Sequence, residues 1–289
     1  MSKRDLTRPD VCVWSLVCAA LVLFARVPSA HSQTDYFNTD AGRPIRIEDA
    51  YAIERRGFEL QAAPLRIERG SGGLYRWGIE PDFAYGILPR TQLEVGFPLA
   101  WIDGAPGSRT SGLAGIDVSI LYNLNAETSI PALAVAAEVL LPAGNLGPDR
   151  AYSSLKGIAT KSFSWARFHV NAQYTFGDSP TGANAASAVP LTGTSPVGAQ
   201  VVEVSRWLGG IAVDKSLPLR SVLLTGEVYA QGALEDSNDV AWNATVGTRY
   251  QLSPRWALDA GIGRRLTGND RAWSFTMGGA VAFGLPWSR

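Results

Sequence analysis

The chain has 289 residues, and 26 Lys and Arg balance 26 Asp and Glu, so its formal net charge is zero. This balance, with no basic cluster, excludes the electrostatic signature of a nucleic-acid-binding protein. Hydrophobic residues make up 46 % of the chain, but beyond the N-terminus no apolar run approaches the ~18 residues of a membrane-spanning helix.

The N-terminus has the layout of a secretory signal peptide. Lys3, Arg4 and Arg8 precede an apolar run over residues 11–25, and Ala30-His31-Ser32, with small residues on either side of the histidine, offers a cleavage site. The run is shorter than the ~20 residues of a membrane anchor, which favours cleavage. We predict that residues 1–32 are a signal peptide and that the remaining chain, with 22 basic and 24 acidic residues, is exported. Both cysteines lie in the signal, so the mature chain offers no thiol for a disulfide or a zinc site.

Residues 33–56 are polar, irregular and rich in charge. We predict a periplasmic N-terminal segment here. The alternative is a segment tucked into the domain that follows, as a partial plug whose charges meet those of the wall.

The rest of the chain, residues 57–289, alternates apolar and polar residues in repeated stretches of about ten. Strands of soluble proteins average about five or six residues, whereas a tilted strand needs about 9–11 to cross hydrocarbon. The polar face is mainly Gly, Ala, Ser, Thr and Asn, which suits a wet or lightly filled interior. We therefore predict an all-β fold, a transmembrane antiparallel up-and-down β-barrel of about 12 strands, with a soluble β-sandwich or propeller as the competitor. The predicted strands are 57–69, 76–85, 92–101, 114–123, 133–141, 155–163, 166–176, 201–214, 220–231, 240–252, 256–263 and 273–284.

Several predicted strands carry local irregularities. Pro64 predicts a bulge in the first strand, and the eighth is ambiguous around Arg206 and Trp207. The fifth is rich in Ala and could be helical by propensity, but its period of two favours a strand.

The connections between these strands alternate between short and long, as periplasmic turns and extracellular loops do in outer-membrane barrels. If both termini are periplasmic, the large aromatic residues fall near the two membrane interfaces, where amphipathic rings are enriched. The predicted aromatic girdle is Trp77, Trp101, Trp242 and Trp273 at the outer rim and Tyr85, Tyr122, Tyr250, Trp256 and Phe283 at the inner rim.

Charged residues recur on the faces predicted to point inward. They could line a mildly cation-favouring pore, or they could form ion pairs that prop the barrel from within. The predicted lumen-facing residues are Arg76, Glu80, Asp82, Glu94, Asp117, Glu138, Arg167, His169, Glu227, Arg249 and Asp259.

Catalytic and cofactor signatures are not found in the sequence. An enzymatic barrel needs a nucleophile with a base, and His169 is the one histidine of the mature chain. It is predicted to face inward as a wall residue, whereas a lipid hydrolase works at the lipid-facing surface. One His without Cys gives no transition-metal site, and no Gly-rich phosphate loop with Lys occurs. We expect no catalytic residue, no metal and no cofactor.

Several short motifs carry a family resemblance. RPIRIEDA (43–50), GFEL (57–60), EPDFAYG (80–86), QLEVGFP (92–98), GLAGID (112–117) and LLPAG (140–144) resemble the outer-membrane family labelled MetA pathway of phenol degradation. The resemblance implies a transporter-like barrel that passes aromatic or other small hydrophobic compounds, and it implies no catalytic residues. The chain departs from the family pattern by running on through residues 285–289 after its last strand.

The sequence thus predicts an outer-membrane channel for passive or facilitated diffusion of a small solute. A closed structural or envelope-binding barrel is the second hypothesis, and a lipid-modifying barrel enzyme is the third. Expected partners are outer-membrane lipid, the insertion machinery during assembly, the unknown solute and lipopolysaccharide. Arginines predicted near the outer end could pair with lipopolysaccharide phosphates: Arg109, Arg150, Arg264, Arg265 and Arg271.

Overall fold

The structure is a computed structural model that describes residues 39, 43–69, 75–103, 109–178, 204–234, 240–267 and 272–284. The predicted signal peptide, most of the loop over 177–200 and the C-terminal residues 285–289 lie outside the described residues. No helix in the described ranges is long and apolar enough to cross a membrane.

Twelve antiparallel strands close into a single barrel, as the sequence predicted. Each strand pairs with the next along the chain, and the last strand pairs with the first over Gly57 to Arg69, which leaves no open edge. A 3-10 turn, Pro218–Arg220, separates the eighth and ninth strands. The strands are β1 (Gly57–Arg69), β2 (Tyr75–Ile79 and Asp82–Leu88), β3 (Thr91–Gly96 and Leu99–Asp103), β4 (Arg109–Leu113 and Ile116–Asn123), β5 (Ala132–Leu141), β6 (Tyr152–Ser162), β7 (Arg167–Phe176), β8 (Ser205–Leu217), β9 (Val222–Ala233), β10 (Val240–Ser253), β11 (Trp256–Arg265) and β12 (Trp273–Gly284).

Strands β2, β3 and β4 are each interrupted at one level of the barrel. Pro81 and Pro98 have no N–H to donate to a ladder, and Gly115 has a φ of 117°, which a side chain would oppose. The residues within neighbouring interruptions still bond to each other, because the Phe97 N–H donates to the Pro81 carbonyl at 3.0 Å. The sequence predicted β2 and β3 as continuous, and it began the fourth strand only at residue 114, so the piece Arg109–Leu113 was not predicted. The interruption arises because proline and glycine fall at matching positions of neighbouring strands.

The predicted irregularities are confirmed in two strands. The β1–β12 register shifts between Ala62 and Pro64, and the β8–β9 register shifts between Ser205 and Trp207. The Ala-rich fifth strand is extended, as its alternation indicated. The eighth strand ends only at Leu217, before Pro218, three residues beyond its predicted end, and residues 201–203 of the predicted strand lie outside the described residues.

The two faces of the barrel differ in chemistry. Large apolar side chains point outward, with exposures between 37 % for Ile67 and 61 % for Val246. The inner face buries small residues and polar side chains instead. A face of exposed apolar side chains around a closed barrel is the surface that hydrocarbon covers.

Candidate functional site: the barrel interior

The interior is crossed by residues 43–53, named here the interior segment. Its amide groups bond to side chains of the wall. The Ala50 N–H donates to the Thr160 hydroxyl at 2.9 Å, and the Arg46 and Ile47 N–H groups donate to the Glu227 carboxylate at 2.8 and 2.9 Å. Further contacts are Ile53 to Gln92, Glu48 to Asn171, Asn123 to Ala50, Arg249 to Arg43 and Thr276 to Pro44.

These wall partners come from β3, β4, β6, β7, β9, β10 and β12. The segment therefore passes across the barrel, and its contacts are spread over most of the circumference. Backbone groups removed from water need such partners, because an unpaired buried amide costs free energy.

Small inward residues make room for the interior segment. Ile45 and Ile47 pack with Ala212 and Tyr229, and Ala50 packs with alanines of β5. A Cβ at Gly247 would lie 2.5 Å from the Pro44 Cγ, so only glycine fits beside this proline. The sequence indicated a lightly filled interior, and the structure fills part of it with the chain's own N-terminal residues.

One ionic group encloses Arg43. Its guanidinium contacts Glu59 at 3.0 Å and Asp259 at 3.5 Å, and the Arg249 guanidinium donates to the Arg43 carbonyl at 2.9 Å. Arg249 and Asp259 were both predicted to face the lumen, and they lie buried against the interior segment. They hold the segment and do not line open space.

A second group centres on Asp214, which the sequence reasoning did not single out. Arg167 donates to both of its carboxylate oxygens, at 3.0 and 2.8 Å, and His169 Nε2 lies 2.8 Å from Oδ2. The His169 Nδ1 lies 3.0 Å from the Thr160 hydroxyl. Thr, His and Asp thus follow one another in the order of a hydrolytic triad. His169 is 0 % exposed, however, and the Thr160 oxygen already accepts the Ala50 N–H, so no substrate can reach them.

A third group surrounds a cavity of about 290 Å³ on the inner faces of β1 to β8. Its lining includes six of the predicted residues: Arg76, Glu80, Asp82, Glu94, Asp117 and Glu138. Arg249 is not part of that lining. The cavity is therefore an acidic compartment on one side of the interior segment.

All eleven predicted lumen residues lie on the inner side of the wall, but they serve separate groups. Glu227 caps the interior segment, Arg249 and Asp259 hold Arg43, and Arg167 and His169 hold Asp214. The remaining six line the cavity.

Aromatic residues of the predicted girdle lie on the outer face, and several contact one another across strands. Trp77 stacks on Trp101 with ring centroids 5.0 Å apart, and Phe58 contacts both Tyr85 and Phe283, at 5.0 and 5.2 Å. Half or nearly half of the side chain is exposed in Tyr122, Trp242, Tyr250, Trp256 and Trp273. Phe163 and Trp165, which the sequence reasoning did not place in the girdle, are also exposed and contact Phe168.

One end of the interior segment is anchored outside the strands, at the turn between β4 and β5. The Tyr51 hydroxyl donates to Glu127 at 3.1 Å, and the same carboxylate accepts the Ser162 N–H at 2.7 Å. Burial and the bond to Glu127 raise the pKa of Tyr51 to about 12. Burial alone would raise the pKa of Glu127, but hydrogen bonds from Ser162, Lys161 and Tyr51 outweigh it and lower that pKa.

The arginines predicted to contact lipopolysaccharide lie in different environments. Arg150 is exposed and pairs with Asp149 at 3.0 Å, and the Arg264 guanidinium lies over the Trp273 ring. Arg265 is buried, so its assignment to an outer contact is wrong, because residue 265 falls on the inward phase of β11. Arg271 and the side chain of Arg109 lie outside the described residues.

The wall residues that hold the interior segment were missed in the sequence. Gln92, Asn123, Thr160 and Asn171 are neutral polar residues that look like ordinary inward positions. The one usable signal was the concentration of Gly and Ala on the inner phase, which leaves volume for another chain segment.

No protein-family model and no curated protein sequence matches the chain. Among solved structures it is similar to an outer membrane channel from Pseudomonas putida F1, with a TM-score of 0.55 and 13 % identity over 85 % of this chain and 100 % of that chain. The KdgM porin has a TM-score of 0.49 and 11 % identity, over 78 % of this chain and 99 % of the porin chain. The translocator domain of the autotransporter NalP from Neisseria meningitidis has a TM-score of 0.48 and 11 % identity, over 93 % of this chain and 98 % of that domain. The first similarity supports the barrel fold alone, and the two weaker ones support no further conclusion. The resemblance to the phenol-degradation family stays a prediction.

Proposed function

We propose that this protein is an outer-membrane channel for passive or facilitated diffusion of a small solute. The observation that carries the proposal is a closed barrel with an apolar outer face and a charged interior that still contains a cavity of about 290 Å³. Lumens range from nearly filled at ~8 strands to aqueous channels at ~16–18 strands. At twelve strands the interior contents decide the conductance.

The interior segment acts as a partial plug in this proposal. Its backbone bonds to wall side chains at many points, so it narrows the lumen while the acidic cavity beside it remains. A narrow, acidic passage favours small polar or cationic solutes. The lining also contains apolar side chains such as Leu121, Leu140 and Leu208, which agree with the aromatic or hydrophobic solute implied by the family resemblance.

Conductance and flux measurements test the proposal. The purified full-length protein is reconstituted in planar bilayers and in liposomes, beside a variant that lacks residues 33–53. We expect small single-channel steps and slow solute flux for the full chain, and several-fold larger values for the variant. Neither conductance nor flux in both proteins would contradict the proposal.

A closed structural or envelope-binding barrel is the second candidate, and the density of ionic contacts around Arg43 and Asp214 favours it. The two candidates separate in whole cells. Deletion of the gene lowers outer-membrane permeability to the solute if the protein is a channel, and leaves it unchanged if the barrel is structural.

We assign no catalytic residue, metal or cofactor to this barrel. In the described ranges no group of three or more His, Cys, Asp or Glu side chains is arranged to hold a metal ion. The lipid-modifying hypothesis would require a lipid-processing activity that is lost in His169→Ala.

The partners follow from the proposed location. They are outer-membrane lipid around the apolar face, lipopolysaccharide at the outer rim, the diffusing solute and the insertion machinery during assembly. Nucleic acid is not among them.

A further inference from the structure

The acidic side chains that line the cavity outnumber the basic side chains that line it. Its lining contains seven carboxylates and three basic side chains. Lys156 is engaged by Glu48 through an ion pair, with side chains about 13 % exposed on both sides. The cavity therefore keeps a net negative lining in a place that bulk water reaches only in part.

The strand register brings the carboxylates together around small residues. Asp82 of β2 lies opposite Gly96 of β3, and Gly96 lies opposite Asp117 of β4. A Cβ at Gly96 would come within 2.4 Å of the Asp82 Oδ1, so the Asp82 carboxylate occupies the space over the glycine. In the next row Ser119 lies between Glu94 and Glu138. Each of these two pairs of acids thus flanks a wall position whose own side chain is absent or small.

Two of these acids lack the partners that buried carboxylates require. Asp82 is only 9 % exposed, and within the described chain it forms neither a hydrogen bond nor an ion pair. The Oδ1 atom of Asp117 is buried and accepts no hydrogen bond. Arg43 and Lys156 attract these acids only at longer range, since both are bound to other carboxylates. A buried charge without a partner costs several kcal/mol, so a cation placed between them would be bound favourably.

We propose that this cavity is a binding site for a small linear organic diamine or triamine. A single metal ion needs several oxygen ligands within ~2.0–2.6 Å, and no described cluster of acids offers that geometry. Asp82 and Asp117 converge over Gly96, since a Cβ there would lie 2.4 Å from the Asp82 Oδ1 and 3.5 Å from the Asp117 Cβ. The row of Glu94 and Glu138 lies two residues further along the strands, roughly 7 Å away, so a ligand that reaches both rows must be extended. One ammonium group pairs with Asp82 and Asp117, and a second pairs with Glu94 and Glu138. The proposal rests on the channel function and names its solute class.

Calorimetric titration of the detergent-solubilised full chain with spermidine and putrescine tests the site. We expect saturable binding with one stoichiometric site, and at least about a tenfold loss of affinity in Asp82→Asn/Asp117→Asn. Gly96→Ala pushes the Asp82 carboxylate aside and is expected to weaken binding in the same direction. Because Asn removes a repulsive charge, the double variant is expected to fold, and circular dichroism with a heat-shift gel verifies this.

Matched controls separate a site from general counter-ion attraction. Asp178→Asn removes an exposed carboxylate outside the cavity lining and is expected to leave amine affinity unchanged. Equal binding of Mg²⁺, or an equal loss of affinity in Asp178→Asn, would overturn the proposal, as would unaltered affinity in the double variant.

The outcomes also separate this inference from the proposed function. Flux of neutral solutes without amine binding refutes the amine site and leaves the channel intact. Specific amine binding without conductance or flux supports the site and refutes the channel.

Discussion

At the scale of single residues, the interior is organised by carboxylates that each accept several hydrogen bonds. Asp214 accepts from Arg167 and His169, Glu227 accepts two backbone amides, and Glu127 accepts from Tyr51 and Ser162. Charge-assisted bonds of this kind are stronger than neutral ones. Asp82 and Asp117 are the exceptions, and they line the one cavity for which we propose a ligand.

Replacing Asp214 tests the buried ionic group. Asp214→Asn removes the shared acceptor of Arg167 and His169 and is expected to lower the free energy of unfolding by about 3–5 kcal/mol. Urea unfolding of the protein in lipid vesicles measures the change. The control is Arg150→Gln, whose solvent-exposed pair with Asp149 is expected to contribute little to stability. Equal effects of the two substitutions would contradict this account.

The lowered pKa of Glu127 predicts a pH dependence of stability. A carboxyl whose folded pKa is depressed contributes stability above its unfolded pKa of 4.5, and that contribution is lost as pH falls through the folded value. We expect the urea midpoint of the wild type to fall with pH below about 4.5, and Glu127→Gln to be less stable at neutral pH with a smaller acid-dependent loss. Unfolding curves at several pH values measure both. Parallel curves for the two proteins would exclude a role for Glu127.

At the scale of elements, the interior segment shapes the lumen together with the strands, and its Arg46 and Glu48 line the cavity. It has no regular secondary structure, and wall side chains satisfy its amides one by one. Such a segment is displaced more easily than a strand, because each contact is a single hydrogen bond worth about 0.5–1.5 kcal/mol, or about 1.5–3 where the acceptor is charged.

Loosening the segment is expected to open the lumen. Glu227→Leu removes the carboxylate that binds the Arg46 and Ile47 amides, and we expect single-channel conductance or open probability to rise several-fold. Planar bilayer recording measures it. Gln173→Ala serves as the control, because this inward side chain bonds to Ser154 and not to the segment. A rise in conductance in both variants would mean that the smaller side chain acts by enlarging the lumen and not by releasing the segment. A rise in neither variant would refute the plug.

At the scale of the whole molecule, the barrel presents one continuous apolar face and depends on lipid to cover it. Val246 lies near the middle of β10, and Leu252 lies near its end. Both are more than half exposed in the isolated protein. Their depths in a bilayer differ, which gives a direct test of the membrane orientation.

A charge scan along β10 tests the embedding. Val246→Lys is expected to cost about 2–4 kcal/mol in lipid vesicles, since the charge lies near the midplane, whereas Leu252→Lys is expected to cost about 0–1 kcal/mol. Chemical unfolding in vesicles measures both values. Small and equal costs would mean that water, and not hydrocarbon, covers this face.

The strands of the barrel wall could be predicted from the sequence much better than the residues that fill the interior. Alternation along each strand depends on local geometry, since successive side chains point to opposite faces, so the twelve strands and the inward position of residues such as Glu94 and Arg249 could be predicted. The alternation did not reveal that the interruptions at Pro81 and Pro98 lie side by side in neighbouring strands. That alignment depends on the register between strands, which a single strand's pattern does not contain.

The sequence by itself determined twelve strands with one apolar and one polar face, because a period of two repeated over twelve segments is the pattern of such strands. Only the tertiary structure closed these strands into a barrel and decided what fills it. Arg43 meets Asp259 at a separation of 216 positions, and Asp82 meets Asp117 across a glycine of a third strand. Contacts between distant residues leave no periodicity in either partner, so the path of the interior segment and the acidic cavity beside it emerge only when the chain is closed.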